Sequence, residues 1–264
     1  MAGFFAKLFG GFFSPATKPA IQQRACINLK EKPQRIYAIG DVHGRFDLLQ
    51  KIENKIIKDA KDFDGTKLIV MLGDYVDRGP QSAEVISHLI APPPTGFERI
   101  CLAGNHEQVM LDFLHAPESS ENWLKFGGDE TLRSYGISPD LVTQNGLSSR
   151  KFAQILKANV PDDHLKFLSE LPSIVTMPDY IFVHAGIRPG VEISQQVDQD
   201  LMWIRGKFLT HDWTDGPTIV HGHTPGDAPE IINGRVNIDT GAYATEKLTA
   251  ARVDGSGVSF LSTP

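Results

Sequence analysis

The sequence predicts an α/β fold, and three of its features carry that prediction. Apolar runs at Ile36 to Ile39, Leu68 to Leu72 and Ile100 to Ala103 alternate with stretches of helical pattern, the order that lays parallel strands side by side through helical crossovers. Each run gives way to a short segment rich in Gly, Asp, Asn or His, so polar side chains gather at the carboxyl ends of the strands, where such sheets hold their sites. Beyond Ile174 the apolar runs are separated by turn signals at Pro178-Asp179, Asn233-Gly234 and Asp254-Gly255, which predicts a second sheet packed on the first.

In chain order the expected elements are a strand over 35–40, a helix over about 45–60, a strand over 67–72, a helix over 81–91, a strand over 98–103 and a helix over 106–115. From about 120 to 172 the pattern is mostly helical, and Trp123 with Gly127-Gly128-Asp129-Glu130-Thr131-Leu132 is expected to form an insertion that shapes access to the site. From Ile174 onward the chain reads as strands, with an Asn-Gly hairpin between Ile231 and Val236. A length of 264 residues with 41% hydrophobic content suits one domain with a large core. That domain is expected over 35–264, after an aromatic segment and linker over 1–34.

Five segments carry the chemistry: Gly40-Asp41-Val42-His43-Gly44, Gly73-Asp74-Tyr75-Val76-Asp77-Arg78-Gly79, Gly104-Asn105-His106-Glu107, His184-Ala185-Gly186 and His221-Gly222-His223-Thr224-Pro225. Each places an oxygen or imidazole ligand just after an apolar run. Phosphate esters resist water because it is a poor nucleophile and the phosphoryl group repels anions, so two divalent ions about 3.5 to 4 Å apart can generate hydroxide and neutralise charge together. Asp74, between an early and a late ligand set, is the candidate bridge. Asp41 and His43, two residues apart in an extended backbone, are expected to point to the same side and grip one ion. Asn105, His184 and His223 would hold the second. Such a mixed shell suits Mn²⁺, Fe or Zn²⁺ better than Ca²⁺.

These segments, in this order, resemble those of the phosphoprotein phosphatases within the metallophosphoesterase superfamily, above all the compact bacterial serine/threonine phosphatase branch, from about Arg35 to the end. The resemblance implies a two-sheet sandwich flanked by helices, αββα, with a helical insertion near the site. It implies two metal ions, with Mn²⁺ first among the candidates, and direct attack by a metal-bridging hydroxide. It casts His106 as proton donor to the leaving oxygen and Asp77 as the carboxylate that orients it; physically, a neighbouring carboxylate raises an imidazole's pKa toward the working pH. Arg78 and Arg205 resemble the family's phosphate clamps, with Asn105 also facing the phosphate. The family's Gly-His pattern selects His223 over His221 as the ligand. Glu107 is expected to orient the site or begin a helix, and Asp239 to lie near the same rim.

The function so implied is hydrolysis of phosphoserine and phosphothreonine, and of phosphotyrosine as an open extension, in proteins or peptides. A symmetrical diadenosine tetraphosphatase of the same fold is the alternative; it cleaves a phosphoanhydride whose leaving group has less need of an acid, and its branch typically lacks the Asp77 equivalent and reads Gly-Asn-His-Asp. On that comparison Asp77 and Glu107 favour the protein phosphatase. A third reading is a catalytically silent scaffold, which the complete ligand set opposes.

A net charge of −6 leaves no basic stripe for nucleic acid. Cys26 and Cys101 are too few for a disulfide framework, and cytoplasmic residence is expected. At the amino terminus Phe4, Phe5, Leu8, Phe9, Phe12 and Phe13 recur at helical spacing. A peripheral membrane contact, docking on the chain's own core or a partner, and a signal peptide are the competing readings. Oligomeric state is not readable from the sequence.

Overall fold

Along β2 (Arg35–Ile39) successive side chains face opposite ways and every one from Ile36 to Ile39 is buried. Ile36 and Ala38 enter an apolar layer between two sheets, whereas Tyr37 and Ile39 pack beneath helices on the other side. A strand covered on both faces reads as a continuous apolar run, and each Ile or Leu so buried contributes about 1.5–3 kcal/mol. The computed structural model describes residues 23–116, 122–143 and 149–264; the amino-terminal phenylalanine stripe lies outside them.

The first sheet has the order β11 (Gly257–Ser262), β10 (Thr249–Asp254), β2, β3 (Lys67–Met71), β4 (Glu98–Cys101). β2, β3 and β4 are parallel, and β10 joins β2 antiparallel. The crossovers are α1 (Phe46–Asp59) and α2 (Ser82–Ile90), while α3 (Asn105–His115) leaves β4. The second sheet has the order β1 (Cys26–Asn28), β5 (Ile174–Met177), β6 (Tyr180–Val183), β7 (Thr218–His221), β9 (Arg235–Asn237), β8 (Glu230–Ile232). Val175, Phe182, Val220 and Val236 meet the first sheet in the shared layer. The architecture is therefore the two-sheet αββα sandwich that the resemblance implied.

The expected hairpin is present: β8 and β9 pair antiparallel around Asn233 (φ 47°) and Gly234 (φ 73°), both left-handed as a two-residue turn of this hand needs. The insertion is helical, with a π-turn at Leu124–Gly128 followed by α4 (Asp129–Ser134), α5 (Asp140–Thr143), α6 (Ser149–Asn159) and α7 (Asp162–Glu170).

Two expectations are corrected. The linker expected up to residue 34 contains β1, which pairs parallel with β5, and Arg24 before it donates to the carbonyls of Leu168 and Leu171. Three residues at a sheet edge carry too little periodicity to be read locally. The stretch after Ile174, expected as strands, also holds the short helices α8 (Asp198–Trp203), α9 (Gly206–Thr210) and α10 (Ala242–Thr245). Elements of one to two turns take their stability from packing rather than propensity, as Leu201 and Phe208 do against the outer face of the second sheet.

Candidate active site

The loops at the carboxyl ends of β2, β3, β6, β7 and β9, with the start of α3 after β4, converge on one cavity of about 420 Å³. Asp41, His43, Asp74, Arg78, Asn105, His106, Arg205 and His223 all line it, while His184 is fully buried at its base, 3.4 Å from Asp74. The fold thus gathers the predicted side chains from six separate stretches of chain.

The backbone there is unusual. Among the described residues, non-glycine positions with positive φ include His43 (45°), Asp74 (52°), Asp77 (73°), Arg78 (69°) and His223 (67°). Side chains of this kind rarely adopt that region, and such strain clusters where a site must be aimed. The left-handed turn at His43 corrects the expectation of an extended backbone there, while Asp41 and His43 both face the cavity. His43 faces Asp74, whereas both carboxylate oxygens of Asp41 accept the backbone N–H of His223, at 3.2 and 3.1 Å. A β-carbon at Gly222 would run into Oδ1 of Asp41, so glycine there lets the two loops close.

Asp74 is the centre of the arrangement. Its Oδ2 is 3.5 Å from Nε2 of His43, and its Oδ1 is 3.4 Å from Nε2 of His184. In both histidines Nδ1 is 2.9 Å from a backbone carbonyl, Val76 for His43 and Leu72 for His184. A carbonyl only accepts, so Nδ1 carries the proton and each Nε2 turns a lone pair toward Asp74, the orientation typical of metal-binding histidines. Asn105 Oδ1 lies 2.9 Å from Nε2 of His184, two lone pairs facing each other. A cation between them would relieve such a meeting of acceptors. Two sets of donor atoms fit one: His43, Asp74 and His106, and Asp74, His184 and His223.

The charge states agree. Burial holds His43 down at about 3 and His223 at about 2, and it lowers His184 as well, leaving neutral imidazoles. Burial, then Asp239 and Asp74, raises Asp41. Burial likewise pushes Asp239 to about 6, and this residue, expected near the rim, lines the cavity and accepts the Gly241 N–H at 2.9 Å.

Beside this centre Nδ1 of His106 lies 2.6 Å from Oδ2 of Asp77. Asp77 has no solvent exposure, and it is clamped by Trp123 Nε1 at 2.8 Å and Thr131 Oγ1 at 2.7 Å. Burial disfavours charge on His106, but Asp74 and Asp77 outweigh it and raise its pKa. Nε2 of His106 faces Nη2 of Arg78 at 3.2 Å, and the Arg78 guanidinium lies 4.4 Å from the ring centroid of Tyr243. Arg205 Nη2 donates to the His223 carbonyl at 3.1 Å. The partnership of Asp77 with Trp123 and Thr131 joins the insertion to the site, and no local spacing signals it. Phe126, Trp203 and Tyr243, which also line the cavity, were likewise not legible as site residues.

His221 is elsewhere. It is fully buried, edge-on to Phe208 at 4.9 Å and 3.4 Å from Arg235 Nη1, and does not line the cavity.

The calcineurin-like phosphoesterase family model matches residues 34–254. The chain belongs to this family. Its curated relatives include the asymmetrical bis(5'-nucleosyl)-tetraphosphatase PrpE of Oceanobacillus iheyensis, 29% identical over 83% of this chain and 88% of the relative. The enzyme of the same name from Bacillus subtilis is 26% identical over 81% and 88%. Among solved structures, a provisionally named diadenosine tetraphosphatase superposes with a TM-score of 0.62 at 20% identity, covering 90% of this chain and 97% of that one. The cold-active protein-tyrosine phosphatase of a psychrophilic Shewanella gives 0.61 at 17% identity, covering 92% and 83%. At these identities the structures show the fold alone.

The relatives overturn the expected serine/threonine protein phosphatase, since tetraphosphatases align along most of this phosphoesterase. The two residues that argued for it have other work. Glu107 accepts backbone N–H groups around Asp74, and Asp77 is a hub for the insertion as much as a partner of His106. Neither contact reports on a leaving group. Among the described residues no helix is long and apolar enough to cross a membrane.

Proposed function

We propose that this calcineurin-like phosphoesterase hydrolyses a phosphoanhydride bond in bis(5'-nucleosyl) tetraphosphates, and that it cuts them asymmetrically into a nucleoside triphosphate and a nucleoside monophosphate. The observation that carries the reading is the alignment of enzymes bearing that name over more than four-fifths of the chain. The asymmetric cut replaces the symmetrical one considered from the sequence. A cavity walled by two arginines and several aromatic rings suits a phosphate chain bearing bases.

In this reading His43 and Asp41 would hold one divalent ion and Asn105, His184 and His223 the other, with Asp74 shared between them. Such ions supply a nucleophile at neutral pH and neutralise phosphate charge. The chain's own groups do the rest. Arg78, steadied by the Tyr243 ring, and Arg205 offer planar forks to phosphate oxygens. Asp77, facing Nδ1 of His106, orients the ring and with Asp74 favours its protonated form, in which Nε2 also carries a proton to give to the departing oxygen. A nucleotide phosphate leaves more readily than an alkoxide, so that proton contributes less here than it would for a phosphoserine.

The test is product analysis by anion-exchange chromatography after incubating Mn²⁺-loaded protein with diadenosine tetraphosphate. ATP and AMP in equal amounts are expected. ADP alone would overturn the asymmetric cut, and an intact dinucleotide would overturn the reading as a whole.

A further inference from the structure

Among the described residues the large aromatics that stand exposed are Phe126 at 60%, Trp203 at 39% and Tyr243 at 39%, and all three line the catalytic cavity. Scattered exposed apolar side chains need no explanation, but an exposed group confined to one site does. Tyr243 has a task already, with its ring against Arg78 and its edge toward His43 at 5.4 Å. Trp123, in the same wall, is buried and donates to Asp77. Phe126 and Trp203 are left partly exposed in the cavity wall.

Each is anchored beside an arginine. Phe126 precedes Gly127, whose carbonyl accepts the Arg78 N–H at 3.0 Å and whose φ of 103° no larger residue adopts without strain. A β-carbon at 127 would also collide with the Arg78 backbone. Trp203 ends α8 two residues before Arg205, and its ring lies 6.4 Å from that of His223. The backbone therefore repeats one arrangement, a cavity-lining aromatic residue held close to a cavity-lining arginine, at Phe126 and Arg78 and again at Trp203 and Arg205.

We infer that Phe126 and Trp203 are nucleobase platforms, each stacking one base of a substrate whose phosphate chain runs between Arg78 and Arg205. The inference rests on the dinucleotide reading above and adds to it the residues that select a nucleotide over a bare polyphosphate. Stacking on an aromatic face is tolerant of base identity, so either end of the molecule can enter first.

The experiment compares kcat/KM for diadenosine tetraphosphate with that for inorganic tripolyphosphate on Mn²⁺-loaded protein. In F126A and in W203A the preference for the dinucleotide is expected to fall about tenfold, the order of one base–aromatic stack, chiefly through KM. F126Y and W203F should restore it. An unchanged preference in both alanine variants would overturn the platforms. If wild-type protein leaves the dinucleotide intact, the functional reading fails separately, and the Trp203 platform is read by tryptophan fluorescence with ATP and with tripolyphosphate. Quenching by ATP alone that disappears in W203A would uphold it, and its absence would overturn it.

Discussion

Glu107 accepts the backbone N–H of Asp74 at 2.8 Å. The same oxygen takes the N–H of Gly104 at 2.8 Å, and the other takes those of Tyr75 at 2.7 Å and Val76 at 3.3 Å. One carboxylate at the start of α3 therefore shapes the loop after β3, which holds the central aspartate in its left-handed turn. In Glu107→Gln the amide NH₂ must face two backbone N–H groups whichever way it is placed. With no solvent exposure to relieve this, a loss of about 2–3 kcal/mol is expected. A thermal melt superimposable on wild type would refute that account.

Asp74→Asn tests the bridge. The two carboxylate oxygens face different histidines, 3.5 Å from His43 and 3.4 Å from His184. Loss of the charge should release at least one of the two expected divalent ions per chain, as read by plasma mass spectrometry of dialysed protein. Full retention of both would remove Asp74 from the centre of the site.

His106→Asn should keep the metal content and lower turnover by about 10²-fold, the lower range for a proton donor. The loss should be greater with an alkyl phosphate monoester than with the dinucleotide, because the alkoxide needs its proton more. Equal losses on the two substrates would show that His106, 2.6 Å from Asp77, acts in some way other than as an acid.

A pH effect is expected in the insertion, away from the ligands. His164 sits between Ser87 on α2, 3.1 Å from Nε2, and the Tyr135 hydroxyl, 2.8 Å from Nδ1. Burial lowers its pKa beneath the ordinary 6.5, against the opposing charge of Asp163. The unfolded chain thus binds the proton first. The stabilisation is complete above pH 6.5 and is lost as pH falls toward the folded-state value. Urea midpoints should drop between pH 7 and 5, and drop less in His164→Gln. Parallel curves for the two proteins would count against the assignment.

Much of this was legible in the chain because it is local. β2, β3 and β4 announce themselves as apolar runs, and Asp41, Asp74, Asn105 and His184 follow their strands directly. The Asn233-Gly234 turn needs only its two residues. By contrast, the clamp of Trp123 and Thr131 on Asp77 spans 46 and 54 positions. Glu107 does orient the site from the first turn of α3, as its place in the motif predicted, but a contact with backbone N–H groups says nothing of the leaving group, and reading it as a mark of protein phosphatases failed.

By itself the sequence determined the alternation of strands and helices from β2 to α3 and the kinds of ligand at the strand ends, since side-chain period and residue chemistry are properties of short stretches. The tertiary structure decided which way those ligands face. The left-handed turns at His43, Asp74 and His223 are imposed by loops packed against one another, with Gly222 against Asp41 and Glu107 beneath Asp74. It also brought Phe126 and Trp203 to one cavity from positions 77 residues apart, a meeting that only the packing of the insertion and α8 around the sandwich produces.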